Sequence, residues 1–207
     1  MPLSLLYRAA PFAAFVFLLA VFPQWPLARG VAAAILLAAF WRQYGEMRKP
    51  LAWRDVSASL AVGFVVFVVW ISLDVPWATF GGERVGYAPV TPGGAIDWTR
   101  AIARLVTLIA IVPLMEELFW RSLLMRWIDA RDFLAREPGR ASITAVAVSS
   151  GLFALEHRMW LAGLVAGLAY ARLYMTTNNL RAPVMAHLVT NAILGVWILS
   201  TGSWHLW

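Results

Sequence analysis

Residues 57–77 read SASLAVGFVVFVVWISLDVPW, and Asp74 is the only charged side chain among them. An apolar run of this length is enough to cross the hydrocarbon core of a bilayer as an α-helix. Hydrophobic residues make up 61% of the 207-residue chain and charged residues 14%, whereas a soluble domain is nearer half apolar and a quarter charged. The composition therefore excludes a water-soluble globular protein and predicts an integral membrane protein.

Further apolar runs on both sides of this segment predict an all-α, polytopic transmembrane bundle of about seven spans. The predicted spans are Leu3–Phe22, Leu27–Trp41, Ser57–Trp77, Arg100–Ile128, Ser142–His157, Trp160–Met175 and Pro183–Ser200. We interpret the first as a retained span rather than a signal peptide, because it is long enough to cross a bilayer and no small-residue cleavage site is evident before Pro23. Glycines and prolines in Gly81–Asp97 predict a loop.

The net charge of +6 raises the question of nucleic-acid binding. The basic residues are dispersed between apolar runs, however, so we expect basic inter-helix loops, a lipid bilayer as partner and no nucleic acid. Lysine and arginine are more numerous on the side that holds Arg42–Asp55, which predicts a cytoplasmic N-terminus and an outside C-terminus. High alanine, arginine and tryptophan usage is typical of GC-rich bacteria, so the expected location is a bacterial inner membrane.

Three polar clusters lie within the predicted helices. An ionisable group is energetically costly in a membrane, so each cluster is a candidate functional site. In the first, Glu116 and Glu117 precede Arg121. Glu117 and Arg121 have the spacing and order of a helical ion pair, which leaves Glu116 as an unpaired carboxylate suited to accept and return a proton. Pro113 lies just upstream and is expected to kink the helix. A structural ion pair or a charge cluster at the membrane edge remains an alternative for this motif alone.

The second cluster is Phe153 with His157, predicted to share one face of the fifth span. Because Glu156 and Arg158 flank the histidine, an interfacial residue at a water boundary is the simpler interpretation. The third cluster is His187 with Asn191, whose spacing of four places two potential hydrogen-bond donors on one helix face. They could hold water, a metal or a developing oxyanion, or they could form an interhelical hydrogen bond.

The combination EExxxR, FxxxH and HxxxN on successive membrane segments resembles the CAAX-protease and bacteriocin-processing family (the CPBP family), which includes the eukaryotic prenyl-protein endopeptidase. The resemblance covers about 100–199. It divides the single membrane domain into N-terminal spans with a loop, 1–99, and a catalytic helical core, 100–207. It implies an intramembrane endopeptidase that acts on a membrane-anchored protein or peptide. The implied catalytic residues are Glu116, Glu117, Arg121, His157, His187 and Asn191.

The resemblance favours a mechanism without a cofactor. Glu116, helped by His157, activates a water that attacks the scissile carbonyl, and His187 and Asn191 stabilise the oxyanion. In the alternative, Glu116, His157 and His187 ligate zinc and a bound water is the nucleophile. The chain has no cysteine, which excludes Cys-ligated metals and thiol nucleophiles. HExxH is also missing, and asparagine would be an unusual zinc ligand.

Two non-enzymatic alternatives belong to other classes. The polar clusters could form a proton or ion pathway, as intramembrane acids do in transporters, but no inverted repeat is evident. A catalytically silent immunity or scaffold protein is the other.

The resemblance allows three substrates: a prenylated CAAX tail, a peptide precursor or a bacterial C-terminal sorting signal. The prenylated tail is the least expected, since bacteria generally lack prenylated CAAX proteins.

Overall fold

A computed structural model describes residues 3–81 and 86–207 of the chain. Gly82 and Arg84 of the predicted loop lie outside the described residues. The described residues form an all-α bundle, as the hydropathy predicts, and each of the seven predicted spans corresponds to a helix. The helices are α1 (Leu3–Val21), α2 (Pro26–Ala39), α3 (Trp53–Ser72), α4 (Trp98–Asp129), α5 (Ile143–Glu156), α6 (Trp160–Thr177) and α7 (Arg181–Thr201).

Three of these helices, α1, α3 and α7, are long and apolar enough to cross a membrane by length and composition. Helices α2 and α5 are apolar but shorter. Exposed phenylalanine, valine and leucine side chains are frequent on α1 and α3, where they suit contact with lipid rather than water. The fold is therefore that of a membrane-embedded helical bundle.

Close approach of α3 and α7 depends on Gly63. A Cβ atom at this position would lie 2.5 Å from the carbonyl oxygen of Ala186 and 2.8 Å from Cβ of Val189. The short distance also allows Thr190 Oγ1 to lie 2.9 Å from the carbonyl oxygen of Gly63, as a hydrogen-bond donor. This contact fixes the depth of α7, the helix that carries the third motif.

A buried polar cluster ties α1 to α4; we call it the Glu46 cluster. Its members are Arg8, Glu46, Ser122 and Arg126. The Glu46 carboxylate accepts hydrogen bonds from Arg8, from Ser122 and, at 2.8 Å, from Arg126. Both arginine side chains are at most 5% exposed and the glutamate 17%. One carboxylate thus neutralises part of two buried positive charges, and Ser122 of this cluster is next in sequence to Arg121.

The connection from α4 to α5 is held by Asp129, at the end of α4 and beyond the predicted span. Its carboxylate accepts hydrogen bonds from the Ser142 amide at 2.7 Å and the Ser142 hydroxyl at 2.6 Å. Burial alone would raise the pKa of the Asp129 carboxyl, but the Ser142 hydrogen bonds and the charge of Arg136 together lower it. The ionised form of Asp129 therefore stabilises the start of α5.

Candidate active site

The two glutamates of the first motif lie in Val112–Glu117, a short α-helical segment of α4. A π-helical segment precedes it at Thr107–Ile111 and another follows at Leu118–Met125. The sequence predicted a kink at Pro113, and the structure has two widened turns around the glutamates. Such π-helical turns are often found at functional sites, because the wider turn re-aims the side chains beside it.

Asn191 completes the first of these turns. Val112 donates its amide hydrogen to the carbonyl of Thr107, five residues back. The next bond in this register would join residue 113 to the carbonyl of Leu108, but proline has no amide hydrogen. The Asn191 side-chain amide donates to that carbonyl instead, at 2.9 Å. Asn191 therefore supplies the donor that Pro113 lacks, and it joins α7 to α4.

Glu117 lies at the centre of the buried charges. Its Oε2 is 3.3 Å from Nε of Arg121, which agrees with the predicted ion pair. Its Oε1 is 3.2 Å from Nδ1 of His187 on α7. Glu117 and Arg121 are fully buried, and the Arg121 guanidinium lies 5.0 Å from the ring centroid of Phe153. One carboxylate thus links the first motif to the third.

Glu116 is the other buried carboxylate, only 5% exposed. Its Oε2 has no hydrogen-bond partner among residues 3–81 and 86–207. The negative charges of Glu156 and Glu117 repel an ionised Glu116, whereas the positive charge of Arg121 attracts it. A buried polar atom without a partner is costly unless water or substrate contacts it. Glu117 Oε2 also lacks a hydrogen bond, but the Glu117 carboxylate faces Arg121 and His187, whereas no ion pair of Glu116 is found among the described residues.

His157 lies just beyond the helix that was predicted to contain it. α5 ends at Glu156, and the His157 backbone is extended, with φ −103° and ψ 135°. The imidazole nevertheless returns to the helix, with Nδ1 2.7 Å from the carbonyl oxygen of Phe153 and the two rings 4.6 Å apart. Because a carbonyl only accepts, Nδ1 carries the hydrogen and Nε2 of the neutral ring is an acceptor. Gly163 leaves room for this ring, since its Cβ would lie 3.2 Å from Cβ of His157.

A cavity of about 160 Å³ brings the second and third motifs together. His157, His187 and Asn191 all line it. Glu116 is not among the lining residues. The volume corresponds to about five water molecules in the liquid. It is therefore large enough for a water nucleophile and part of a peptide.

Tyr170 of α6 also lines this cavity and was missed by the sequence analysis. Its ring stacks on the His187 imidazole at a centroid distance of 5.0 Å and an interplanar angle of 21°. Its hydroxyl donates to Thr190 Oγ1 at 2.8 Å. Tyr170 therefore packs against one face of the His187 ring and orients it. A single tyrosine in a glycine- and alanine-rich helix gives no periodic signal.

The zinc alternative required Glu116, His157 and His187 to converge on one point. Within 3–81 and 86–207, no three histidine, aspartate or glutamate side chains are grouped as metal ligands would be. The described geometry therefore lends the zinc alternative no support.

An all-helical membrane domain that has two buried glutamates, and a cavity lined by two histidines and an asparagine, has the components of a membrane-embedded hydrolase. Comparison with protein families identifies which one. The family model described as type II CAAX prenyl endopeptidase Rce1-like matches residues 98–193. This segment contains all six predicted site residues. Residues 98–193 therefore match the Rce1-like family of CAAX proteases, which are peptide hydrolases, and the predicted resemblance is confirmed.

No curated protein and no solved structure matches the chain. The family match alone therefore carries the general activity, that of an intramembrane endopeptidase.

Proposed function

We propose that this endopeptidase cleaves a membrane-anchored protein or peptide segment by direct attack of a glutamate-activated water on the scissile carbonyl. The observation that carries the proposal is the cavity shared by His157, His187 and Asn191, together with the buried Glu116 carboxylate, whose Oε2 has no hydrogen-bond partner among the described residues. Those are the parts that amide hydrolysis needs: a base, an acceptor that orients water, and donors for the oxyanion.

In the proposed reaction, Glu116 is the general base. Its unpartnered Oε2 accepts a proton from the attacking water. Nε2 of His157 accepts a hydrogen bond from the other hydrogen of that water and so orients the water oxygen. The hydrogen on Nδ1 of His157 is committed to Phe153, so Nε2 of the neutral ring remains an acceptor. Glu116 then returns the proton to the leaving amine.

The oxyanion would be stabilised by His187 and Asn191. Nδ1 of His187 faces the Glu117 carboxylate, so Nε2 is the nitrogen left for substrate. It donates to an oxyanion when the imidazole carries both hydrogens. The Asn191 amide has two hydrogens, of which one is used on Leu108 and the other is left for substrate.

Glu117 and Arg121 act through these groups rather than on the substrate. Glu117 orients His187, and Arg121 balances the second negative charge at the site. Removal of one partner from a fully buried pair leaves an uncompensated charge, which is strongly destabilising. We therefore propose a positioning role for both.

The proposed setting is a bacterial inner membrane, with the N-terminus in the cytoplasm and the C-terminus outside. The substrate is a peptide precursor or a protein with a C-terminal sorting signal in preference to a prenylated tail. The enrichment of lysine and arginine around Arg42–Asp55 supports the orientation, and the apolar outer surface of the bundle supports the bilayer as partner.

The test is cleavage of candidate membrane-anchored substrates by purified protein in liposomes. Glu116→Gln and His187→Ala should each lower the rate by about 10²-fold or more. Glu137→Gln is the control, because Glu137 is 69% exposed and its ion-pair partner among the described residues is Arg140. Wild-type rates in folded Glu116→Gln and His187→Ala proteins would reject the proposal. Loss of activity on chelation, restored by zinc, would favour the zinc mechanism.

A further inference from the structure

A short segment that follows α7 folds back onto the candidate active site. Gly202, at the end of α7, has a left-handed backbone with φ 70°. Glycine adopts this conformation without strain, and it lets the chain reverse its direction at the end of a helix. Residues 203–207 come next and include a 3₁₀ turn at Trp204–Leu206. We call residues 203–207 the strap. No motif and no proposed catalytic step uses it.

The strap supplies part of the wall of the catalytic cavity. Leu206 lines the cavity of about 160 Å³ together with His157, His187 and Asn191. These three motif residues belong to the helical core, whereas Leu206 belongs to a segment outside the seven helices. Water and a peptide bond must both reach this cavity for hydrolysis to occur. A segment in its wall can therefore control access to it.

Apolar packing holds the strap against the bundle. The core beside it is formed by α3 and α7 and consists of Phe67, Leu194 and Ile198. Trp204, Leu206 and Trp207 are half-buried and pack against this core. The rings of Trp204 and Trp207 stack at a centroid distance of 5.6 Å, and the Arg104 guanidinium lies 5.5 Å from the Trp207 ring centroid. The strap thus contacts α3, α4 and α7.

A polar contact fastens the strap to the end of α3; we call it the latch. Nε2 of His205 lies 2.7 Å from Oδ2 of Asp74, two residues beyond the last residue of α3, Ser72. The His205 side chain is 42% exposed and that of Asp74 26%. Water competes for both partners, so a pair of this kind contributes little free energy. The latch can therefore open and re-form easily.

The described backbone hydrogen bonds of the strap are local. Trp204, Leu206 and Trp207 each donate to a carbonyl two or three residues back, at 2.8, 3.1 and 3.1 Å. These bonds persist if the strap lifts as one piece, because none of them reaches another helix. Lifting therefore breaks side-chain contacts and keeps these hydrogen bonds, which is typical of segments that open locally.

We propose that the strap is a lid on the catalytic cavity, fastened by the latch and displaced when a substrate segment enters. The proposal rests on the proposed endopeptidase activity, because the cavity beneath the lid is the one where cleavage would occur. In the closed position Leu206 forms the wall beside His157 and His187, and in the open position that space is left for substrate. Breaking the latch raises the open population, and fixing it prevents opening.

Thiol labelling tests the lid without turnover, because the chain has no cysteine of its own. Ala166 lines the cavity and is replaced by cysteine in Glu116→Gln protein in phosphatidylcholine nanodiscs. A neutral, water-soluble methanethiosulfonate reagent then reports how fast the cavity is reached. Adding His205→Ala should raise the labelling rate about two- to fivefold, the range for loss of a partly exposed ion pair.

Two controls separate lifting of the lid from other effects. Arg100→Ala removes the basic partner of an exposed pair that Arg100 forms with Asp97 at 3.3 Å, and it should leave the labelling rate of the Ala166→Cys thiol unchanged. Ala145 is fully buried and does not line the cavity. A cysteine at position 145 should label no faster when His205→Ala is added, because lifting the strap does not uncover it.

A covalent lock tests the lid in the cleavage assay. Asp74→Cys and His205→Cys together place two thiols at the latch, and bismaleimidoethane joins them. The joined protein should cleave a membrane-anchored substrate at least about tenfold more slowly than the same protein capped with N-ethylmaleimide, since a closed lid limits turnover. Asp97→Cys with Arg100→Cys is the control pair, because joining these thiols links two residues at the start of α4 and leaves the strap free.

Three results would overturn the lid: labelling that His205→Ala does not change, an increase that Arg100→Ala or the position-145 thiol shows equally, and unchanged cleavage after the latch is joined. Failure of the proposed activity gives a different result. If Glu116→Gln protein still cleaves while His205→Ala speeds labelling, the proposed mechanism is wrong and the lid stands. If Glu116→Gln stops cleavage while labelling ignores the latch, the activity stands and the lid is rejected.

Discussion

The bond between Asn191 and the Leu108 carbonyl allows a test in which a second substitution repairs the first. Asn191→Ala removes the donor and leaves a buried carbonyl without a partner. Pro113→Ala introduces a backbone amide at the position whose π-register acceptor is that same carbonyl. The two substitutions should therefore compensate each other when combined.

The magnitudes follow from the 2.9 Å hydrogen bond. A buried acceptor that loses its partner costs about 1–3 kcal/mol. Pro113→Ala alone costs about 1 kcal/mol for the lost buried volume. If the new amide bonds Leu108, the double variant should be about 1–2 kcal/mol more stable than the sum of the single effects predicts.

The assay is reversible unfolding in mixed micelles for the four proteins of the cycle, with substrate cleavage measured in parallel. Stability should recover in the double variant, but activity should not. The amide hydrogen proposed to contact the oxyanion is still missing, and loss of such a donor costs about 10²–10³-fold in kcat. Strict additivity of the stabilities would refute the bond assignment. Full recovery of activity would refute the oxyanion role.

Three further substitutions test packing and charge. Gly63→Ala should lower the free energy of unfolding by about 1–3 kcal/mol through overpacking of α3 against α7, whereas Gly151→Ala, with open space at its Cβ, should not lower it. Glu46→Gln should cost about 3 kcal/mol by leaving two buried arginines without their counter-charge, against about 0.5 kcal/mol or less for the exposed Glu137→Gln. The pKa of Asp129 is lowered in the folded state, so the ionised carboxylate stabilises the fold above the unfolded pKa of about 3.9. Wild type should therefore be more stable than Asp129→Asn at pH 7 and should lose this advantage as the pH falls below about 4. Chemical unfolding curves measure all three, and the first two predictions fail if each variant matches its control.

Hydropathy predicted the helices well. The backbone of a long apolar segment in a membrane must form its hydrogen bonds within the segment, and a helix does this. The predicted ends differ from the observed ones by a few residues, as in the last helix, which was predicted from Pro183 and begins at Arg181. Spacing also predicted the ion pair of Glu117 with Arg121. These features depend on local composition and helical periodicity alone.

The parts that sequence could not predict depend on contacts between helices. Hydropathy does not distinguish an α from a π turn, so the turns around Val112–Glu117 had no signal. The predicted span continues to His157, so hydropathy did not indicate that α5 ends at Glu156. Nothing in the spacing linked His187 to Glu117 or Asn191 to Leu108, since each pair joins α7 to α4 across the bundle.

The central claim is that Glu116 directs a water molecule onto a peptide bond within the bundle. Single-turnover cleavage of a membrane-anchored substrate in H₂¹⁸O, by wild type and by Glu116→Gln, tests it most directly. The predicted result is one ¹⁸O atom in the new carboxylate of the wild-type product, and a rate about 10²–10⁴-fold lower for Glu116→Gln. Cleavage by Glu116→Gln at the wild-type rate, with the same ¹⁸O content, would contradict it.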